Sequence, residues 1–376
     1  MAGLSRREDT NDRERPARSR DSAYMRRALA LARKGWGQTA PNPMVGAVVV
    51  RDGRIVAMGY HARWGGPHAE AAALADAGPA AEGSTVYVTL EPCAHVGKTP
   101  PCADALVAAR VARVVYAAPD PTPVAGGGAE RLRAAGIEVV GGVEERAARE
   151  LNAAFFHAAH ARRPWVTLKL AVSIDGALTD ATRTRAWLTG ARARREVHRL
   201  RAGHDAVAVG IGTALADDPL LTVRGVRQPR VPPTRVVFDR RARLPAESAL
   251  ARTAREIPTL VVAERPDALA EGHLRATGVE VLSADGLADA LNQLRERGVR
   301  SLFVEGGAEL AGAFWDASLV DRLIIFQAPI VLGAGAVGAF SSAEGVLVRE
   351  ARRLPVIARR ALGDDLMTTY AVSPNP

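Results

Sequence analysis

Apolar and polar positions along this chain switch repeatedly between a helical and a strand period. Met25, Leu29 and Leu31 recur at helical spacing behind Asp21-Ser22, either of which predicts an N-cap. Residues 45–50 form a short apolar run, and Asp52-Gly53 predicts a tight hairpin turn into residues 55–59. The pattern then predicts a helix over 68–77, a strand over 85–89, a loop holding both cysteines, a helix over 103–109 and a strand over 111–117. A helix over 130–135 and a strand over 137–140 follow. Such alternation means an α/β layer fold. An alanine-rich helix around 146–161 ends at Arg162-Arg163-Pro164, where a domain boundary is placed. The second half restarts with a strand over 165–171 and has apolar strand cores at 206–209, 235–238, 259–262 and 301–304. Residues 1–20 mix Arg, Asp, Glu and Ser with almost no large apolar side chain, and read as a disordered tail.

The chain has 376 residues, enough for about two domains. At 48% hydrophobic and 24% charged it has material for a sizeable core. No apolar run approaches the roughly 18 residues of a membrane span, and the charged N-terminus lacks the apolar stretch of a secretory signal. The expected compartment is the cytoplasm. A net charge of +9 would suit a nucleic-acid binder, but Lys34, Lys98 and Lys169 are the only lysines and the arginines are scattered. A solvated basic surface serving anionic small substrates is the better reading. Two close cysteines, Cys93 and Cys102, suggest ligands or catalytic groups in a cytoplasmic chain.

The strongest constellation is His68-Ala69-Glu70, then Pro92-Cys93, then Cys102. One His and two Cys supply three zinc ligands and leave a fourth position for water, as a catalytic site requires. Glu70, two residues after His68, can reach the same water without binding metal and carry its proton to a departing amine. Eight residues separate the cysteines, where the common deaminase signature has two. His95 lies between them and competes weakly as a ligand; His95, Lys98 and Thr99 are better candidates for substrate contacts.

Three features stand out in the second half. Residues 168–176 run from a strand into a polar turn at Ser173 and Asp175. Residues 212–219 carry Thr213, Asp217 and Asp218 at a strand-to-loop edge and continue to Leu221 and Arg224. Residues 304–313 read strand, glycine turn, helix, which lets a backbone approach a diphosphate. Gly333, Gly335 and Gly338 spell G-x-G-x-x-G, but a poor helix start follows, so a dinucleotide fingerprint is not expected there.

The run Glu91-Pro92-Cys93-Ala94-His95-Val96-Gly97-Lys98-Thr99-Pro100-Pro101-Cys102, with His68-Ala69-Glu70, closely resembles the deaminase domain of bifunctional riboflavin-biosynthesis enzymes of the RibD type. The long Cys–Cys spacing is that family's own pattern, and Pro41-Asn42-Pro43-Met44-Val45-Gly46 matches another of its segments, which places Asn42 on the substrate-pocket rim. The resemblance implies a cytidine-deaminase-like three-layer domain over 21–162 and a dihydrofolate-reductase-like domain over 163–376. It implies Zn2+ held by His68, Cys93 and Cys102, with Glu70 catalytic. It implies NADPH against Ala171, Trp187, Thr213, Asp217 and the run Gly307, Ala308, Glu309, Leu310, Ala311, Gly312 and Ala313. Arg185, Arg201, Leu221, Arg224 and Glu305 would meet a phosphorylated pyrimidine, as would Asn42, His95 and Lys98. The implied reactions are hydrolytic deamination of 2,5-diamino-6-(5-phosphoribosylamino)pyrimidin-4-one and NADPH-dependent reduction of its ribosyl group, in a homodimer acting on no nucleic acid or membrane. Asp217 and Glu305 are the acid–base guesses for the reduction. Arg183-Thr184-Arg185-Ala186 departs from the family's small or polar run, which keeps open a deaminase with a degenerate reductase half. A nucleic-acid deaminase is disfavoured by the 5% aromatic content. A non-catalytic zinc module would leave Glu70 without a task.

Overall fold

The computed structural model describes residues 9–96, 100–122, 126–183 and 186–373. The chain forms two compact units that divide between Ala159 and His160. No helix among the described residues is long and apolar enough to cross a membrane.

The first unit is built on strands β1 (Gly46–Arg51), β2 (Arg54–Tyr60), β3 (Thr85–Leu90), β4 (Arg113–Ala118) and β5 (Glu138–Val140), in the order β2-β1-β3-β4-β5. β1 runs antiparallel to β2 and β3, and β3, β4 and β5 are parallel. Asp52 and Gly53 both take positive φ, 50° and 72°, as a two-residue turn of matching twist requires. Successive side chains leave a strand on opposite faces, so a sheet covered on both sides needs continuous apolar runs. Ala47, Val49, Val86 and Val88 pack with Ala73, Leu106 and Leu132 from helices Ala69–Ala77, Cys102–Ala108 and Gly128–Ala134. Val48, Val50 and Tyr87 pack on the other face with Met25, Leu29 and Phe156 from helices Asp9–Ala32 and Ala153–Ala158. The unit therefore has three layers.

Two elements differ from the sequence expectation. The first helix begins at Asp9, inside the expected tail; residues 1–8 lie outside the described residues. Asp21 is accordingly no cap. It is buried in mid-helix, accepting a hydrogen bond from Tyr87 (2.7 Å) and two from Arg113 (3.0 and 2.9 Å). Burial alone would raise its pKa, but the Arg113 and Tyr87 hydrogen bonds outweigh that and hold it below the usual carboxylate range. The expected helix over 146–161 is two, Glu145–Leu151 and Ala153–Ala158. They break at Asn152 (φ −112°, ψ 28°), whose amide accepts from Met44 N (2.8 Å) and donates to Met44 O (2.9 Å).

The second unit contains β6 (Trp165–Val172), β7 (Ala177–Thr179), β8 (Ala206–Gly210), β9 (Thr234–Phe238), β10 (Thr259–Ala263), β11 (Glu280–Ser283), β12 (Ser301–Val304), β13 (Arg322–Gln327), β14 (Val337–Gly338), β15 (Val356–Leu362) and β16 (Asp365–Ala371). Nine of these form one sheet, in the order β11-β10-β9-β8-β12-β6-β13-β16-β15. β11 through β13 are parallel, and β16 and β15 add antiparallel. Leu168, Leu170, Ala208, Val236, Leu302 and Phe314 sit in its core. Open parallel sheets bind ligands beyond the carboxyl ends of their strands, and the large cleft of this unit lies there. The Gly333/Gly335/Gly338 segment follows as turns, with β14 paired to β7 and no helix after it. Asp175 accepts hydrogen bonds from Leu332 N (3.2 Å) and Gly333 N (2.8 Å) and so ties this segment to the end of β6.

Candidate active sites

In the first unit His68 is the N-cap residue of helix Ala69–Ala77, Cys93 follows β3, and Cys102 opens helix Cys102–Ala108. Their donor atoms lie within 4.8 Å of one another. His68 Nδ1 is 3.2 Å from Cys102 Sγ and 3.7 Å from Cys93 Sγ, and Cys102 N donates to Cys93 Sγ at 3.3 Å. The Cys102 thiol donates to Cys93, which holds Cys93 well below the ordinary thiol range and keeps the Cys102 proton in place. One imidazole and two sulfurs at this separation fit the ligand set of zinc. His95 is not part of the cluster.

A pocket of about 350 Å³ opens beside these ligands, lined by Asn42, His61, Glu70, His95, Asp120 and Phe155, among others. Glu70 is buried in the first turn of the His68 helix, and burial pushes its carboxyl up to about 7. His95 Nδ1 is buried and has no hydrogen-bond partner among the described residues. An orphan nitrogen on a pocket wall fits a ligand contact. Lys98 and Thr99 lie outside the described residues.

In the second unit a cleft of about 1160 Å³ brings together Ala171, Trp187, Arg201, Thr213, Asp217, Leu221, Arg224 and Glu305 with Gly307, Ala308, Glu309, Leu310 and Ala313. Two residues of the expected glycine-helix run turn away. Ala311 is in the core, and a Cβ on Gly312 would meet Ala343 N at 2.9 Å. Gly306 is required for closeness, since a Cβ there would stand 2.9 Å from Leu310 Cβ. The N-terminus of helix Ala308–Asp316 therefore meets the cleft through bare backbone, a cradle suited to a diphosphate. Trp187 is 70% exposed and lies under the Arg194 guanidinium, 5.3 Å away. Arg201 and Glu305 form a bidentate pair (2.5 and 3.0 Å), and the charge of Arg201, with its hydrogen bonds, holds Glu305 below its ordinary value against the upward push of burial. Arg185 lies outside the described residues.

Sequence reasoning gave Lys169 only a structural part at the strand end and passed over His61 and His198. Lys169 lines the cleft, where desolvation lowers its pKa while Glu305 and Asp217 oppose the shift. Its position as a lone lysine inside an apolar strand was the available signal. His61 and His198 had none, because they bond to backbone carbonyls: His61 Nδ1 lies 2.9 Å from Pro67 O, and His198 Nδ1 lies 3.1 Å from Thr222 O.

Comparison with known proteins extends this geometry to a family. Residues 18–118 match the cytidine and deoxycytidylate deaminase zinc-binding region, and residues 164–366 match the RibD C-terminal domain. The chain is 45% identical to the riboflavin biosynthesis protein RibD of Aquifex aeolicus over 318 residues, covering 84% of this chain and 88% of that protein. It is 43% identical to RibD of Escherichia coli over 350 residues, covering 85% and 90%. Among solved structures, Acinetobacter baumannii RibD superposes with a TM-score of 0.82 at 37% identity, covering 94% of this chain and 99% of that one. A diaminohydroxyphosphoribosylaminopyrimidine deaminase/5-amino-6-(5-phosphoribosylamino)uracil reductase from Thermotoga maritima does so with 0.82 at 34% identity and the same coverage. A cytidine-deaminase-like domain joined to a dihydrofolate-reductase-like domain, with likeness of this extent over both, means that the chain belongs to the RibD family of bifunctional enzymes, a zinc-binding deaminase fused to an NADPH-using reductase.

Proposed function

We propose that the first unit deaminates 2,5-diamino-6-(5-phosphoribosylamino)pyrimidin-4-one and that the second reduces the ribosyl group of the deaminated product to ribityl. The observation that carries the first half is the buried Glu70 beside the His68/Cys93/Cys102 cluster at one pocket. Zinc bound there supplies a Lewis acid that makes water acidic near neutral pH. Glu70 takes one proton from the attacking water and delivers it to the amine that leaves as ammonia, so the amidine carbon exchanges C–N for C–O. Burial keeps the carboxyl protonatable at working pH. Asn42 and His95 orient the ring, with the orphan His95 Nδ1 receiving one of its polar groups. Lys98 is assigned to the same substrate.

In the second unit NADPH supplies the hydride that reduces C1′. The bare backbone at Gly306–Gly307 and the first turn of the following helix would hold its diphosphate; Ala171, Trp187, Thr213 and Asp217 line the same cleft. Arg201 holds the Glu305 carboxylate ionised, ready to accept from a sugar hydroxyl. Lys169, desolvated beside it, is a stronger acid than an exposed lysine and donates the proton that accompanies the hydride. Arg224 is exposed at the cleft wall and receives the substrate's phosphate, with Arg185 assigned to the same substrate. The homodimer implied by the family belongs to this reading, and light scattering should then give about twice the 39.7 kDa chain mass.

The test is a pair of variants assayed on both steps. Glu70→Gln should cut deamination about 10²–10⁴-fold and keep reduction of supplied deaminated pyrimidine; Glu305→Gln should impair reduction and keep deamination. Loss of both activities in either variant would contradict the assignment of one step to each unit.

A further inference from the structure

The segment from Asp218 to Arg224 holds an unusual backbone. Asp218 and Leu221 take φ of 39° and 51°, a left-handed conformation unfavourable for a side-chain-bearing residue. Such strain persists only where the surroundings impose it. Asp218 is explained, since its carboxylate accepts from Ala249 N at 2.7 Å. Leu221 is buried, and side chains hold the segment that follows it.

Two side chains of helix Ala191–Arg201 do so. Arg201, already paired with Glu305, donates from Nη1 to Thr222 O at 2.9 Å. His198 places Nδ1 3.1 Å from Thr222 O and 3.3 Å from Arg224 N. One nitrogen thus stands between an acceptor and a donor of the same segment. Protonated, it donates to Thr222 O; bare, it accepts from Arg224 N–H. Either tautomer ties the segment, and the tie depends on a heteroatom at that one place. The Arg224 side chain is exposed, and no carboxylate pairs with its guanidinium in the described ion pairs, so the backbone grip is what fixes where it starts.

We propose that His198 is a positioning residue of the reductase: its Nδ1 clamps the backbone of the strained Leu221–Arg224 segment and thereby aims Arg224 at the phosphate of the substrate. The inference rests on the reading of Arg224 as the phosphate contact. His198 lines the cleft near Glu305, but its hydrogen bonds go to the Thr222 and Arg224 backbone, so its loss should fall chiefly on substrate affinity.

The test uses the full chain and steady-state reduction of the phosphorylated, deaminated pyrimidine. His198→Leu should raise KM for that substrate about tenfold, the size expected when about 1.4 kcal/mol of held strain relaxes, with kcat and the KM for NADPH within about twofold. His198→Asn sets an amide heteroatom where Nδ1 stood and should restore most of the affinity. His198→Gln sets it farther out, where Nε2 stood, and should not. A dephosphorylated substrate should show no KM change in His198→Leu. Unchanged KM in His198→Leu would overturn the inference, as would equal losses in the Leu, Asn and Gln variants, which would mean a packing role only. Arg224→Ala separates the premise. If it leaves KM for the phosphorylated substrate unchanged, the phosphate reading fails and takes the inference with it. If it raises KM while His198→Leu does not, the positioning role alone fails.

Discussion

A carboxyl group buried beside two sulfurs and an imidazole is costly to ionise, and that cost is what makes Glu70 useful. Desolvation brings its pKa to about 7, so the same group can hold a proton and release it within one turnover. Glu70→Gln keeps the shape and removes the proton traffic. One zinc per chain should remain by elemental analysis, while the deamination rate falls about 10²–10⁴-fold; loss of metal with that change would count against the shuttle role. His204 gives a residue-scale prediction for stability. Nδ1 donates to Leu200 O (2.8 Å), Nε2 accepts from Thr167 Oγ1 (3.1 Å), and the ring lies 4.9 Å from that of Phe303. Desolvation pushes it down to about 4. As pH falls below the ordinary histidine value of about 6.5, the unfolded chain takes up a proton that the folded ring refuses. Stability therefore falls with pH, by about 2 kcal/mol between pH 7 and pH 5. In denaturant titrations of the second unit, His204→Phe should lose this part of the slope; parallel pH profiles for the two proteins would contradict it. The metal ligands and Glu70 were legible from sequence because scarce residue types stand at fixed spacing. His198, His204 and His61 were not, since their partners are mostly backbone oxygens that folding brings near.

Elements, more than residues, follow from the apolar pattern, and their departures have local causes. The central strands β1, β3, β4, β6, β8, β9, β10 and β12 stand close to where apolar runs put them, because their positions are largely covered on both faces, whereas β11, β13, β15 and β16 were not expected from the sequence. The first helix runs farther than its apolar face, and its interior Asp21 looks like a cap until Arg113 and Tyr87 are seen across the sheet. Helix breaks at Asn152 are equally hidden, because a polar side chain can bond a backbone more than a hundred positions away. The zinc-ligand loop depends on one such approach. A Cβ on Gly128, at the start of helix Gly128–Ala134, would stand 1.7 Å from Pro92 O, one residue before Cys93. Gly128→Ala must move one of the two. We expect it to lower zinc content well below one per chain, read by elemental analysis, while NADPH binding by the second unit stays as in the parent protein. Full zinc occupancy in that variant would show that the loop adapts and that Gly128 does not set it.

At the scale of the whole molecule, two units with separate cores carry two chemistries that share one substrate lineage. The organisation of the second unit was less legible than that of the first. Its site has no cluster of scarce residues at fixed spacing; it is made from glycines, one lysine and a pair of opposite charges that the fold brings together from β6, the end of β12 and helix Ala191–Arg201. Separate cores predict separable losses. Cys102→Ser should release zinc and end deamination while the NADPH dissociation constant stays within about twofold; stoichiometric zinc in that variant would refute the ligand set. The most direct test of the whole reading is one coupled assay on the purified, zinc-loaded protein. The diaminopyrimidine substrate is supplied with NADPH, deaminated and reduced products are followed by mass spectrometry, and NADPH absorbance is recorded in the same sample. Deaminated product should appear first and ribityl product after it, with one NADPH consumed per ribityl group formed. Deamination with no NADPH loss, or no turnover of this substrate at all, would contradict it.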